Sequence, residues 1–144
     1  MKKLFIIGCL MAAFTLFSTE NATAQCNAEL YNNKCLQKLK NGYTFVKSYR
    51  IDGKNGARKK IEYTCVLSKD TNYQLQVQSK DGGAIGIIGT LYDSKRNKKA
   101  STYYENKFYE EVTYKCRATG IYYLTFTFKD SKSFCGAAVL GFRR

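Results

Sequence analysis

Tyr73-Gln74-Leu75-Gln76-Val77-Gln78 is the stretch that decides the fold. Apolar side chains stand at Tyr73, Leu75 and Val77 with a glutamine after each, a strict period of two. Successive side chains of a strand point to opposite faces, so this pattern predicts a half-buried strand with its glutamines toward water. Upstream, Ile61, Tyr63, Cys65 and Leu67 alternate with Glu62, Thr64 and Ser68. Further upstream, Tyr43–Ile51 alternates with breaks at Val46 and Lys47.

Downstream, Ala84–Tyr92 is almost wholly apolar and reads as a central strand, and Ala100–Glu105 as a weaker one. Phe108–Cys116 places Phe108, Glu110, Val112, Tyr114 and Cys116 on one face and Tyr109, Glu111, Thr113 and Lys115 on the other. Tyr122, Leu124, Phe126 and Phe128 alternate with Tyr123, Thr125 and Thr127, and Phe134–Phe142 is the last run. Turn signals separate the runs: Asp52-Gly53, Asn55-Gly56, Lys69-Asp70, Asp81-Gly82-Gly83, Asp93–Lys98, Thr119-Gly120 and Asp130–Ser133. About eight short strands spaced in this way predict an all-β chain folded as an antiparallel β-sandwich.

Before the strands, Asn27–Lys40 reads as one short helix, with Asn27 as cap and Gly42 just past its end. Ala28, Tyr31, Cys35 and Leu39 recur at helical spacing on one face. The extreme N-terminus reads differently. Lys2 and Lys3 precede an apolar run, Leu4–Phe17, and Ala22-Thr23-Ala24 ends the segment. A charged start, an apolar middle and small residues before the cut describe a secretory signal peptide cleaved after Ala24. The run of about 14 residues is shorter than the roughly 20 a membrane span needs. The expected organisation is residues 1–24 as leader, 25–42 as helical segment and 43–144 as sandwich. A periplasmic or secreted product without a membrane span follows.

The 144 residues include no His, Pro or Trp, and the formal net charge is +13. Without histidine, a Ser-His-Asp or Cys-His hydrolase and a His-ligated zinc site are excluded. No cofactor is expected. Past the leader stand Cys26, Cys35, Cys65, Cys116 and Cys135, an odd number in an oxidising compartment. Cys26–Cys35 is disfavoured: nine helical residues rise about 13.5 Å, whereas bridged Cα atoms lie about 4.4–6.8 Å apart. The favoured bridge is Cys116–Cys135, whose segments flank one strand. A bond from Cys35 or Cys26 to Cys65 comes second, with one thiol left over. No Cys-x-x-Cys pair and no histidine exist to activate a thiolate, so the cysteines read as structural.

Tyr73–Val77, a glycine turn, Leu91-Tyr92-Asp93-Ser94, a polar loop, Ala100-Ser101 and Thr119-Gly120-Ile121-Tyr122-Tyr123-Leu124 follow in order. This succession, over roughly residues 60–142, resembles the bacterial pre-peptidase C-terminal domain. The resemblance implies a small jelly-roll-like sandwich with a binding or accessory role and no catalytic residues. Acidic residues that accompany calcium in some members precede the Leu-Tyr strand there. Here Gly86-Ile87-Ile88-Gly89 stands in that place, so calcium is not carried over.

Two basic clusters are candidate contact surfaces: Lys54, Arg58, Lys59 and Lys60, and Lys95, Arg96, Lys98 and Lys99. Clustered cations gain affinity for an anionic polymer or acidic protein by summing their fields. Export makes nucleic acid an unexpected partner. Tyr104, Tyr109 and Tyr123 are expected on an outer sheet face with Thr113 and Thr125, available to a partner. Glu110 and Glu111 are expected on opposite faces, which precludes a paired-carboxylate glycosidase site. The sequence therefore predicts an exported, non-catalytic sandwich that binds another envelope protein or an anionic envelope polymer. A structural subunit of an envelope or secretion assembly and a carboxylate-based hydrolase are the alternatives.

Overall fold

The computed structural model describes residues 25–144, and the leader expected over 1–24 lies outside them. Helix α1 (Ala28–Gln37) precedes ten strands: β1 (Thr44–Asp52), β2 (Lys60–Leu67), β3 (Asn72–Ser79), β4 (Ile87–Tyr92), β5 (Lys98–Ser101), β6 (Tyr103–Tyr104), β7 (Lys107–Phe108), β8 (Glu111–Lys115), β9 (Gly120–Phe128) and β10 (Cys135–Arg143). One four-stranded sheet runs β1-β10-β3-β8 and the other β2-β9-β4-β5, while β6 and β7 form a separate hairpin. Every pairing is antiparallel. With the β6–β7 hairpin set aside, this is the strand order of a jelly roll.

The alternations predict the inner faces over most of their length, but not at Phe45, which the first run placed with Tyr49 and Ile51 and which is 47% exposed beside the register shift of β1. Leu75, Val77, Tyr49 and Ile51 from the first sheet meet Ile61, Leu67, Leu124 and Phe126 from the second in one core. Tyr49, Tyr63 and Phe126 form an aromatic cluster within it, Tyr49 and Tyr63 having centroids 5.0 Å apart.

The glutamine row is a correction. Gln74, Gln76 and Gln78 are buried, because α1 lies across the outer face of the β1-β10-β3 part of the sheet. The segment just past the helix reaches this close partly because Gly141 has no side chain: a Cβ there would stand 2.7 Å from Leu39 Cδ1. The Gln74 amide is answered by neighbours, whereas Gln78 Nε2 is buried without a partner. Gln74 accepts the Lys40 N–H (3.2 Å) and donates to Glu111 (2.8 Å). The helix itself ends at Gln37, three residues early, and Asn27 makes no side-chain cap. Of its predicted inner face, Ala28, Tyr31 and Cys35 are buried, while Leu39 falls beyond the helix end and is half-buried.

Other boundaries shift for local reasons. Ala84–Tyr92 becomes strand only from Ile87, since Gly82, Gly83 and Gly86 take positive φ in the preceding turn. Phe108–Cys116 is broken before β8, so Glu110 lies outside a regular strand. Alternation no longer separates it from Glu111. Both carboxylates turn to lysines near the end of α1: Lys38–Glu110 and Lys40–Glu111, each at 2.6 Å.

The cysteine pairing also differs. Cys26 is bridged to Cys135, Cα atoms 5.4 Å apart, and Cys35, Cys65 and Cys116 are free thiols. Cys116 and Cys135 do flank a strand, but that strand is the nine-residue β9, which spans the sandwich. At about 3.3 Å per residue it holds the two cysteines at opposite ends, roughly 30 Å apart. Cys35 lies under the helix, outside the first sheet, while Cys65 faces the core from the second sheet. A whole sheet separates them, and a Cys35–Cys65 bond is impossible.

Candidate functional site

The predicted basic loop joins β4 to β5, and its shape is set by Asp93. That carboxylate accepts the backbone N–H groups of Lys95 and Asn97 (both 2.9 Å), and the Asn97 amide (3.1 Å). Lys99 completes the set with an ion pair at 3.3 Å. These contacts, led by the Asn97 backbone bond, hold the Asp93 carboxyl below its ordinary range. Asp93 is thus occupied by its own turn. Arg96 takes positive φ and leaves the loop in another direction.

Facing this loop is the β8–β9 connection, fixed as firmly. The Cys116 N–H bonds Thr71 O and the Asp70 N–H bonds Cys116 O, both at 2.9 Å. Thr119 Oγ1 accepts the Lys69 N–H (2.8 Å), and Tyr122 Oη donates to Ala118 O (2.7 Å). Between the two loops is a cleft of about 520 Å³, with Lys95, Lys99, Arg117, Thr119, Tyr114 and Ile121 in its lining. Three cations therefore surround one carboxylate that is already bound.

The structure divides the remaining candidates. Arg96 binds Glu62 in a fork, at 2.6 and 3.0 Å, and lies 3.8 Å over the Tyr123 ring. The Arg96 hydrogen bonds hold the Glu62 carboxyl down, and Glu62 in turn raises the Arg96 guanidinium. Tyr123 is therefore a covered residue on the outer face of the second sheet. Lys98 pairs with Tyr92 across β4–β5, outside the cleft lining. Tyr104 and Tyr109 belong to the β6–β7 hairpin region, 65% and 44% exposed, and are not brought beside Tyr123. Thr125 shares the outer face of the second sheet with Tyr123, whereas Thr113 pairs with Gln74 in the other sheet. The expected single tyrosine–threonine face does not form.

Arg117 and Thr119 were missed in the sequence, where each stands alone. Their one visible signal is the Thr119-Gly120 turn, which the jelly-roll order brings to the same end as the Asp93 turn. At the opposite end, a second cleft of about 710 Å³ is lined by Lys54, Lys80, Lys132, Asp52, Asp81 and the Cys26–Cys135 bridge. Its carboxylates are also engaged: Asp52 by the Lys54 N–H (3.0 Å), Asp81 by the Lys132 N–H (2.9 Å) and Ser131 (3.1 Å). With two carboxylates against three lysines, this end is the less cationic. Among the described residues, no three His, Cys, Asp or Glu side chains gather as a metal site.

No protein-family model and no curated protein matches the chain. Among solved structures, it is similar to the pre-peptidase C-terminal domain of collagenase from Bacillus anthracis. The identity is 19%, over 70% of this chain and 87% of that one, with a TM-score of 0.44. It is also similar to PliG of Aeromonas hydrophila, a periplasmic inhibitor of g-type lysozyme. There the identity is 9%, over 74% of this chain and 90% of that one, with a TM-score of 0.43. The first belongs to the family that Leu91–Ser94 and Thr119–Leu124 resemble.

Proposed function

We propose that this chain is an exported, non-catalytic binding module that takes hold of an acidic protein of the cell envelope through the cleft between the Asp93 and Thr119 turns. The observation that carries the reading is the charge arrangement: Lys95, Lys99 and Arg117 converge on one concavity whose only carboxylate, Asp93, is spent on its own loop. Cations on a rigid rim speed encounter with an acidic surface and fix its orientation. Export is supported by the leader pattern of residues 1–24 and by the Cys26–Cys135 bridge, which suits an oxidising compartment.

A carboxylate hydrolase is the weaker reading. It needs a carboxyl raised to act as an acid. Asp52, Glu62, Asp81, Asp93 and Glu110 all shift downward instead. The test is capture of envelope proteins on immobilised protein, with Lys95→Glu and Arg117→Glu combined in a second sample. The proposal expects a partner retained at low salt, released by high salt and absent from the double variant. Equal retention by both samples, or turnover of a substrate by pure protein, would overturn it.

A further inference from the structure

We infer that the free edge of β2 receives an extended, acidic segment of the partner as an added strand; the inference rests on the binding role proposed above. Sheet edges carry unpaired backbone groups, and proteins ordinarily blunt them with bulges, short strands or packing. Of the four edges of the two large sheets, three are treated in that way. β1 has a register shift between Phe45 and Lys47. β5 is four residues long with a shift opposite Leu91 and Tyr92, and it packs against the short β8 at the other edge. β2 is different. Its eight residues pair with β9 in unbroken register from Lys60 to Leu67, and among the described residues no backbone group of β2 has a partner beyond that ladder. The one bond across this side runs from Tyr63 Oη to Arg50 O of β1 (2.6 Å), so it occupies a carbonyl of β1 and none of β2.

Side chains along the edge say what fits. Val66 is 70% exposed, and its cross-strand neighbour Ile121 is 49% exposed and also lines the cationic cleft. At the other end of the strand, Arg58, Lys59 and Lys60 are all exposed. The one acid on the outward face, Glu62, is already held by Arg96. An incoming strand thus meets cations at both ends and an apolar pair beside the cleft, which favours acidic residues alternating with β-branched ones. A second copy of this chain is disfavoured by its own charge of +13.

The experiment uses the full protein with its bridge formed and a short synthetic peptide alternating valine with glutamate. Amide exchange followed by NMR should slow at alternate residues between Lys60 and Leu67 when the peptide is added. N-methylation along one edge of the peptide should weaken binding by about tenfold or more, and a valine–lysine peptide should not bind. Slowed exchange confined to residues 93–99 and 116–119 overturns strand addition while leaving the cleft reading intact. Failure of the acidic peptide to bind also overturns it. Concentration-dependent dimers that protect the same β2 amides would assign the edge to a second copy and overturn it as well.

Discussion

Tyr49 and Tyr122 occupy the same core and differ in one atom's company. Tyr122 Oη donates to Ala118 O, whereas Tyr49 Oη is buried without a partner. A buried hydroxyl that bonds nothing costs stability, and one that bonds well contributes about 1 kcal/mol. Tyr49→Phe is therefore expected to leave stability unchanged or raise it by up to about 1 kcal/mol, and Tyr122→Phe to lower it by about as much. Urea titration of the two variants distinguishes them. The thiols make a second residue-scale case. Cys35 and Cys116 are fully buried and Cys65 is half-buried. Burial pushes the Cys65 thiol up to about 11 and that of Cys35 up to about 12. In native protein, maleimide should label Cys65 alone, at a rate still climbing above pH 9 because the thiolate is scarce until about 11. Labelling of Cys35 without denaturant would contradict the burial. Alternation made the inner row of β3 legible at this scale. It was silent on what covers Gln74, Gln76 and Gln78, since a period of two names two faces without saying which is wet.

Among the elements, α1 depends most on neighbours distant in sequence. Its docking combines the Gly141 gap, the bond from Lys40 N–H to Gln74, and the Lys38–Glu110 and Lys40–Glu111 pairs. Lys38 holds the Glu110 carboxyl below its ordinary range. Its stabilising contribution is complete above the unfolded carboxylate range and is lost as pH falls through the lowered folded value. Glu110→Gln should cost less than about 1 kcal/mol near neutrality, because the pair is exposed. The variant's stability should also fall less steeply on acidification, as thermal melts across acid pH would show. An equal acid slope in both proteins would mean that the pair contributes nothing. The helix was legible from Ala28, Tyr31 and Cys35, but its end was not. Lys38 and Lys40 suit a helix as well as a loop, and nothing local announces the stop at Gln37. The failed expectation for Glu110 has a similar origin, because the two-residue break before β8, at Tyr109 and Glu110, is invisible in a continuous alternating run.

For the whole molecule, the jelly-roll order gathers turns far apart in sequence at two ends. The cationic cleft was thus half legible. Lys95 and Lys99 sit in an obvious basic loop, whereas Arg117 joins them only through strand order. Among the described residues, the Cys26–Cys135 bridge is the one covalent tie at this scale. It closes a loop of sequence separation 109, and the chain-entropy account gives such closure about 4–5 kcal/mol. Replacing both cysteines with serine should cost about 2–5 kcal/mol and lower the melting temperature by many degrees, measurable by calorimetry. An unchanged melting temperature would mean that the sandwich and α1 hold without the tie.

That bridge also sets a timetable. Cys135 is the last cysteine to be synthesised, so Cys26 must wait for it while Cys35, Cys65 and Cys116 pass by as wrong partners. An oxidase that joins thiols in order of arrival would trap the chain in a mispaired form, and correct maturation calls for a catalyst that reshuffles such bonds. Expression in cells lacking a disulfide isomerase should accumulate mispaired forms, resolved on non-reducing gels and mapped by peptide mass. A full yield of the correct bond in those cells would show that the strands assemble before any thiol is oxidised.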